Sequence, residues 1–194
     1  MLINLFNKNN AKIMLFLALS PGSKYSRKEI KEKTELNNMP LDNSLNILLN
    51  LNVINEQKKL YYLNLENPFV QLILKEKTKM SNLPLKIQFL LLDFVEHILR
   101  LKLINEIILF GSYAKLIFSE KSDIDIAIVL DDKSRNKEKI GKKISAFEKK
   151  LSKKYKKDIQ IHFFIESDLK HKKDPLIKDI LKNGRGLLEN KNEY

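Results

Sequence analysis

Apolar positions recur at helical spacing through residues 10–19, and the run stops at Ser20-Pro21-Gly22-Ser23. Ser26-Arg27-Lys28-Glu29 then fits a capping box, with Ser26 accepting from the Glu29 amide and the Glu29 carboxylate returning to Ser26, ahead of a short helix to about Thr34. Pro40 suits a first helical turn, and Leu41, Leu45, Leu48 and Leu49 line one face of a third helix. Residues 52–55 and 60–64 read as strands around Glu56-Gln57-Lys58-Lys59, a hairpin with a basic tip. Asn67-Pro68 interrupts the pattern, a helix resumes over 69–79, and a longer one is predicted over 85–103 after Pro84. Beyond it the order is strand (106–110), short helix, strand (123–130), basic helix, strand (159–164) and a helix from Asp174 and Pro175 to Gly184.

These elements predict two domains and a connector: 1–67, a helical connector at 68–84, and an α/β unit over 85–194. The 194 residues include no cysteine and only 5 Gly and 5 Pro, against 43% hydrophobic content, which excludes collagen-like, disordered and disulfide-stapled classes. Without thiolates, and with His97, His162 and His171 far apart, a structural zinc site is excluded as well. The apolar runs at 13–19 and 83–103 do not suit a membrane span, because the first is short and the second carries six charged or titratable side chains. The expectation is a soluble, cytoplasmic protein with no membrane partner. The net charge of +12 is concentrated between Lys133 and Lys157, where 12 basic residues face 2 acidic ones. Ile140, Ile144, Phe147 and Leu151 make that segment an amphipathic helix, whose outer face is either a solvated lysine surface or a polyanion-binding one.

Three short helices followed by a hairpin resemble a winged helix-turn-helix over residues 10–67, on element order alone. The resemblance implies contact with duplex DNA through the third helix and the hairpin. It would aim Asp42, Asn43, Ser44, Asn46 and Asn50 at bases, and place Lys24, Arg27, Lys28, Lys31, Lys58 and Lys59 near phosphates. The predicted recognition helix has no Arg or Lys, so a protein-contact or dimerisation module is the competing reading, and a homodimer stays open by analogy.

The sharpest chemistry lies in Ile107-Ile108-Leu109-Phe110-Gly111-Ser112, followed ten residues later by Asp123-Ile124-Asp125. A buried strand that delivers Gly-Ser to a helix start suits a triphosphate, since Gly111 permits close backbone approach and Ser112 adds a hydroxyl. Asp123 and Asp125, two apart on a strand, project from one face. Such carboxylates repel unless a hard cation, Mg²⁺ or Mn²⁺, bridges them. Lys115, one turn into the helix, is a candidate phosphate contact.

This G-S-x10-D-x-D pattern resembles the DNA polymerase β-type nucleotidyltransferase superfamily, and its spacing resembles the minimal branch that includes antitoxins paired with HEPN-type toxins. The resemblance implies transfer of a nucleotidyl group from a nucleoside triphosphate, ATP being the first candidate, to a hydroxyl. It also implies that some relatives modify a partner protein with AMP. The chain departs from the family at Leu116, where a glycine is usual, so that the loop to the aspartates is expected to change. It departs again where the neighbouring strand normally supplies a third carboxylate. Along Lys157-Asp158-Ile159-Gln160-Ile161-His162, alternation puts Asp158, Gln160 and His162 on one face, with Gln160 at the carboxylate position. Glutamine ligates through its carbonyl but takes no proton. His162, with an ordinary pKa of ~6.5, is a substitute base unless it is simply packed. His97 and His171 read as structural.

The fold class expected is α+β or α/β: a winged helix-turn-helix, then a nucleotidyltransferase fold with a small mixed sheet flanked by helices. The catalytic set is Asp123, Asp125, Gln160 and His162, with Gly111, Ser112 and Lys115 on the nucleotide and Asp123 and Asp125 on the metal. The acceptor is a protein, RNA or small molecule. The competing reading is a DNA-binding regulator or antitoxin-type protein whose transferase fold is catalytically weakened.

Overall fold

The structure, a computed structural model, describes residues 7–76, 82–99, 101, 104–131, 137–171 and 173–189. The chain divides into two compact units, Met1–Leu85 and Lys86–Tyr194.

In the first unit, α1 (Lys8–Leu19) starts at Asn7, whose side chain accepts from the Asn9 amide at 2.7 Å. Strand β1 (Tyr25–Ser26) leads into α2 (Arg27–Thr34). The capping box forms, with the Ser26 amide donating to Glu29 Oε2 at 2.7 Å and the Glu29 amide donating to Ser26 Oγ at 3.3 Å. Helix α3 (Asn38–Asn50) follows, packs on α1 and buries Leu41, Leu45 and Leu48 in a core that also holds Ile13, Leu17 and Ile30. The hairpin strands are β2 (Ile54–Gln57) and β3 (Leu60–Leu63), so the turn is Lys58-Lys59 alone. Residue 52 does not open a strand as expected: Asn52 has φ 55°, and that left-handed step ends α3 before Val53 is buried. Lys58 and Lys59, at φ 53° and 62°, form a two-residue turn of the hand that matches strand twist. The unforeseen β1 pairs with β3, giving a three-stranded sheet in the order β1-β3-β2. Asn67 does not break the chain but caps α4 (Pro68–Glu76), accepting from the Phe69 and Val70 amides. The predicted continuation of α4 through 77–79 lies outside the described residues, as does that of α5 at 100, 102 and 103.

The second unit comprises α5 (Leu85–Leu99, whose first residue belongs to the first unit), β4 (Ile104–Phe110), α6 (Gly111–Lys115), β5 (Ile124–Leu130), α7 (Lys137–Tyr155), β6 (Ile159–Ile165), α8 (Pro175–Asn183) and β7 (Arg185–Glu189). Its sheet is mixed, in the order β6-β5-β4-β7, with β5 and β6 parallel and the other pairs antiparallel. The α7 crossover is what allows a parallel pair. One face of the sheet carries Ile107, Leu109, Ile126 and Ile128, all fully buried. On the other, Ile180 and Leu176 of α8 pack against Phe110, Ala127, Ile108 and Phe164. The apolar run of α5 is a core helix: Phe94 and Ile98 are buried, His97 stacks on Phe147 of α7 at 3.6 Å, and Asp93 accepts from Lys154 and Tyr155, each at 2.7 Å. Among the described residues no helix is long and apolar enough to cross a membrane.

Candidate active site

The turn from β4 into α6 brings backbone against a carboxylate. Phe110 pairs with Asp125 across the antiparallel ladder, and Gly111 then takes φ +69°. A Cβ built on Gly111 would lie 2.1 Å from Asp125 Oδ2 and 2.9 Å from its Cγ, so the carboxylate occupies the space a side chain would need. Only glycine meets both demands at this position. Ser112 sits half-buried beside it, and its carbonyl accepts from the Ile117 amide at 3.0 Å.

The loop after α6 turns at Leu116, where the resemblance implied a glycine. Leu116 itself adopts the left-handed conformation, φ 61° and ψ 30°, that glycine would take there. Phe118 supports it by stacking on the buried Tyr113 at 4.4 Å, whereas Ile117 points outward and is 73% exposed. The Leu-Ile-Phe run is therefore an apolar contact through Phe118 only.

Asp123 immediately precedes β5, Asp125 is its second residue, and Gln160 stands opposite Asp125 in the parallel register. Gln160 Nε2 donates to Asp123 Oδ2 at 2.7 Å. Asp158 contributes backbone, its carbonyl accepting from the Ile124 amide at 3.0 Å. His162 lies one step further along, opposite Ala127, with its ring edge-on to Phe110 at 5.3 Å. Burial holds the Asp125 carboxyl above its ordinary range; His162 opposes that shift, Asp123 and Asp179 add to it, and Lys115 opposes it.

Asp179 is a member of this group that sequence reasoning missed. It sits on α8, accepts from Lys115 Nζ at 2.7 Å and from Asn183 Nδ2 at 2.8 Å, and those bonds keep its carboxyl below the usual carboxylate range. No local signal reveals it, because Lys115 lies 64 positions earlier. Lys115, the candidate phosphate contact, is thus paired with Asp179 in this structure, its side chain 34% exposed.

Asp123 and Asp125 present hard oxygens with mutual repulsion, which suits a Mg²⁺ ion that fills its remaining positions with water and phosphate. Among the described residues no group of three or more His, Cys, Asp or Glu side chains is placed to hold a metal. The two carboxylates of Asp123 and Asp125 lie together here, with the Gln160 amide hydrogen-bonded to the first.

In the first unit the residues assigned to DNA separate. Asn43 and Asn46 are exposed on α3, and Lys28, Lys58 and Lys59 are exposed on α2 and the hairpin turn. Ser44 is corrected: it is 1% exposed and shares the buried stripe with Leu41 and Leu48, so it reads no base. Arg27 and Asp42 are also corrected. They pair with each other in two contacts of 2.6 and 2.9 Å that tie α2 to α3.

Residues 94–193 match the family model described as polymerase beta, nucleotidyltransferase. A solved structure from Sulfolobus solfataricus, described as a "putative nucleotidyltransferase", is similar at 18% identity over 55% of this chain and 86% of that one, with a TM-score of 0.35. A search of curated proteins returns no match. The family match runs over more than half the chain, from inside α5 through β7, and contains Gly111, Asp123, Asp125 and Gln160; the protein belongs to the polymerase beta nucleotidyltransferase family.

Proposed function

We propose that the second unit transfers a nucleotidyl group from a nucleoside triphosphate, ATP being the first candidate, to an acceptor hydroxyl. The observation that carries this reading is the seating of the Asp125 carboxylate over Gly111, which puts a phosphate-binding turn and the carboxylate pair in one place. Gly111 and Ser112 hold the triphosphate by close backbone approach. Asp123 and Asp125 hold Mg²⁺ or Mn²⁺, which when bound offsets charge on the phosphates. The acceptor oxygen forms a bond to the α-phosphorus, the bond to pyrophosphate breaks, and the hydroxyl proton leaves to a base. Gln160 has no basic atom to offer, and His162, two residues along the same strand, is a neighbouring group able to accept that proton.

A polyanionic acceptor, RNA first, fits the outer surface of α7. Lys143, Lys149, Lys150 and Lys153 are exposed there, with Lys156 just past the helix end, whereas Lys154 is held by Asp93 and belongs to the fold. A partner protein, as in HEPN-paired systems, is the other acceptor class. The test is incubation with α-labelled triphosphates, Mg²⁺ or Mn²⁺, and the protein itself, total RNA or cell extract. Label should pass to one acceptor class with wild type and not with the Asp123→Asn, Asp125→Asn double variant. No transfer from a folded protein would overturn the enzymatic reading and favour the regulator.

The first unit supports a second reading, a winged helix on duplex DNA, through its helix order and its β1-β3-β2 sheet with a Lys58-Lys59 tip. Asn43 and Asn46 would face bases, and Lys28, Lys58 and Lys59 phosphates. Affinity of the full chain for duplex DNA should fall linearly in log salt, and Lys58→Ala with Lys59→Ala should reduce the slope by about 2. An unchanged slope would remove the hairpin from the interface.

A further inference from the structure

We propose that Lys157 is a positioning residue for Asp123, joining the three segments from which the candidate site is built. Lys156 takes φ 47° after the end of α7, and the Lys157 amide returns to the Ser152 carbonyl at 3.2 Å, the geometry of a helix stop that reverses the chain direction. That stop turns the Lys157 side chain toward the loop before β5. Its ammonium donates to the carbonyls of Glu120 and Ser122, the latter at 3.0 Å, and lies 5.4 Å from the centre of the Tyr113 ring.

These contacts reach two other parts of the site. Tyr113 is in α6, directly after Gly111 and Ser112. Glu120 and Ser122 lead into Asp123. Lys157 itself leads into β6, where the Asp158 carbonyl holds the Ile124 amide and Gln160 holds Asp123. Two carbonyls take two of the ammonium's three donors, and the ring faces its charge. The backbone on the N-terminal side of Asp123 closes on itself through the Ser119–Ser122 turn, and Lys157 is the side chain that ties that turn to β6, while the Asp123 carboxylate is held from the other side by Gln160. The sequence shows Lys157 only as the last of a run of lysines, and nothing in that run marks it as different.

The inference rests on the reading of Asp123 as a cation ligand, and the sign of one measurement separates positioning from plain charge. Removing a nearby positive charge would tighten the binding of a divalent cation to Asp123 and Asp125. Removing a residue that positions Asp123 weakens it. Lys157→Met keeps the aliphatic stem and loses the donors, so Mn²⁺ titrated into the full-length protein should bind about tenfold more weakly, within the range for residues that orient metal ligands. Lys157→Arg, which can still donate to two carbonyls, should restore most of the affinity. The side-chain amide signal of Gln160 in a ¹⁵N spectrum reports its bond to Asp123, and should move in Lys157→Met toward its position in Asp123→Asn.

Tighter or unchanged Mn²⁺ binding in Lys157→Met, or a failure of arginine to rescue, would overturn the assignment. If wild type binds no Mn²⁺, the cation reading fails by itself and the Gln160 signal decides: a shift in Lys157→Met upholds positioning, and an unmoved signal refutes it.

Discussion

Replacing Gly111 with alanine should be costly for two separable reasons. The backbone there has φ +69°, and a left-handed residue bearing a Cβ costs roughly 1–2 kcal/mol. The added methyl also meets the Asp125 carboxylate at 2.1 Å, so that side chain must turn off its rotamer or move, at about 1 kcal/mol. Alanine also narrows the unfolded chain, gaining about 0.4–1 kcal/mol whatever residue stands at 125. A double-mutant cycle of Gly111→Ala and Asp125→Ala isolates the contact, because the dihedral and unfolded-state effects appear in both backgrounds and cancel. The expected coupling is about 1 kcal/mol, with alanine at 111 better tolerated once Asp125 is shortened. Stabilities of the four proteins would come from denaturant titration followed by hydrogen exchange at the Leu109 and Ile126 amides, which report on the sheet of the second unit. Additivity within about 0.3 kcal/mol would refute the idea that the glycine is there to admit the carboxylate.

Other substitutions follow from the same geometry. Because burial raises the folded pKa of Asp125 above its unfolded value, its contribution is favourable below the unfolded pKa and is lost as pH rises through the folded one. Asp125→Asn should therefore melt higher than wild type at neutral pH without divalent cations and lose that advantage in acid; equal melting at both would contradict the assignment. Leu116→Gly should relieve about 1–2 kcal/mol of left-handed strain and lose about 0.5–1 through the unfolded chain, for a net gain of up to about 1.5 kcal/mol in a denaturant titration. Lys154→Met strips the buried Asp93 of a partner and should cost about 1–2 kcal/mol, less than for a fully buried pair because Lys154 is 47% exposed and Tyr155 still donates. Adding Asp93→Asn should recover part of that loss in the same titration, and a double variant no more stable than Lys154→Met would argue against the pairing.

Local chemistry was readable where it is local. The Ser26–Glu29 box lies within one helical turn, and the Gly111-Ser112 turn and the Asp123/Asp125 pair stand on neighbouring strands whose apolar runs are unmistakable. Ser44 was readable as well, since it lies three residues after Leu41 and four before Leu48, but its polar side chain drew it to the wrong face. The features that escaped depend on distant partners. Tyr25–Ser26 and Arg185–Glu189 become strands only because β3 and β4 pair with them. Lys115, Lys154 and Lys157 look alike in a lysine-rich chain, and only the fold commits them to Asp179, Asp93 and two loop carbonyls. The left-handed Leu116 escaped as well, because nothing in a leucine marks a positive φ.

The strand order also bears on how the second unit comes into being. Its β4 lies inside the sheet, bonded to β5 on one side and to β7 on the other. A ribosome delivers β7 last of the strands among the described residues, well after β4, β5 and β6 can pair. Until then β4, with its run Ile104–Phe110, offers a bare hydrogen-bonding edge between apolar faces, the kind of edge that recruits strands from other chains. Synthesis of this protein thus passes through an interval of self-association risk that closes when residues 185–189 dock, and α8, packed on Phe110 and Ala127 just before them, is the element that brings β7 to its place.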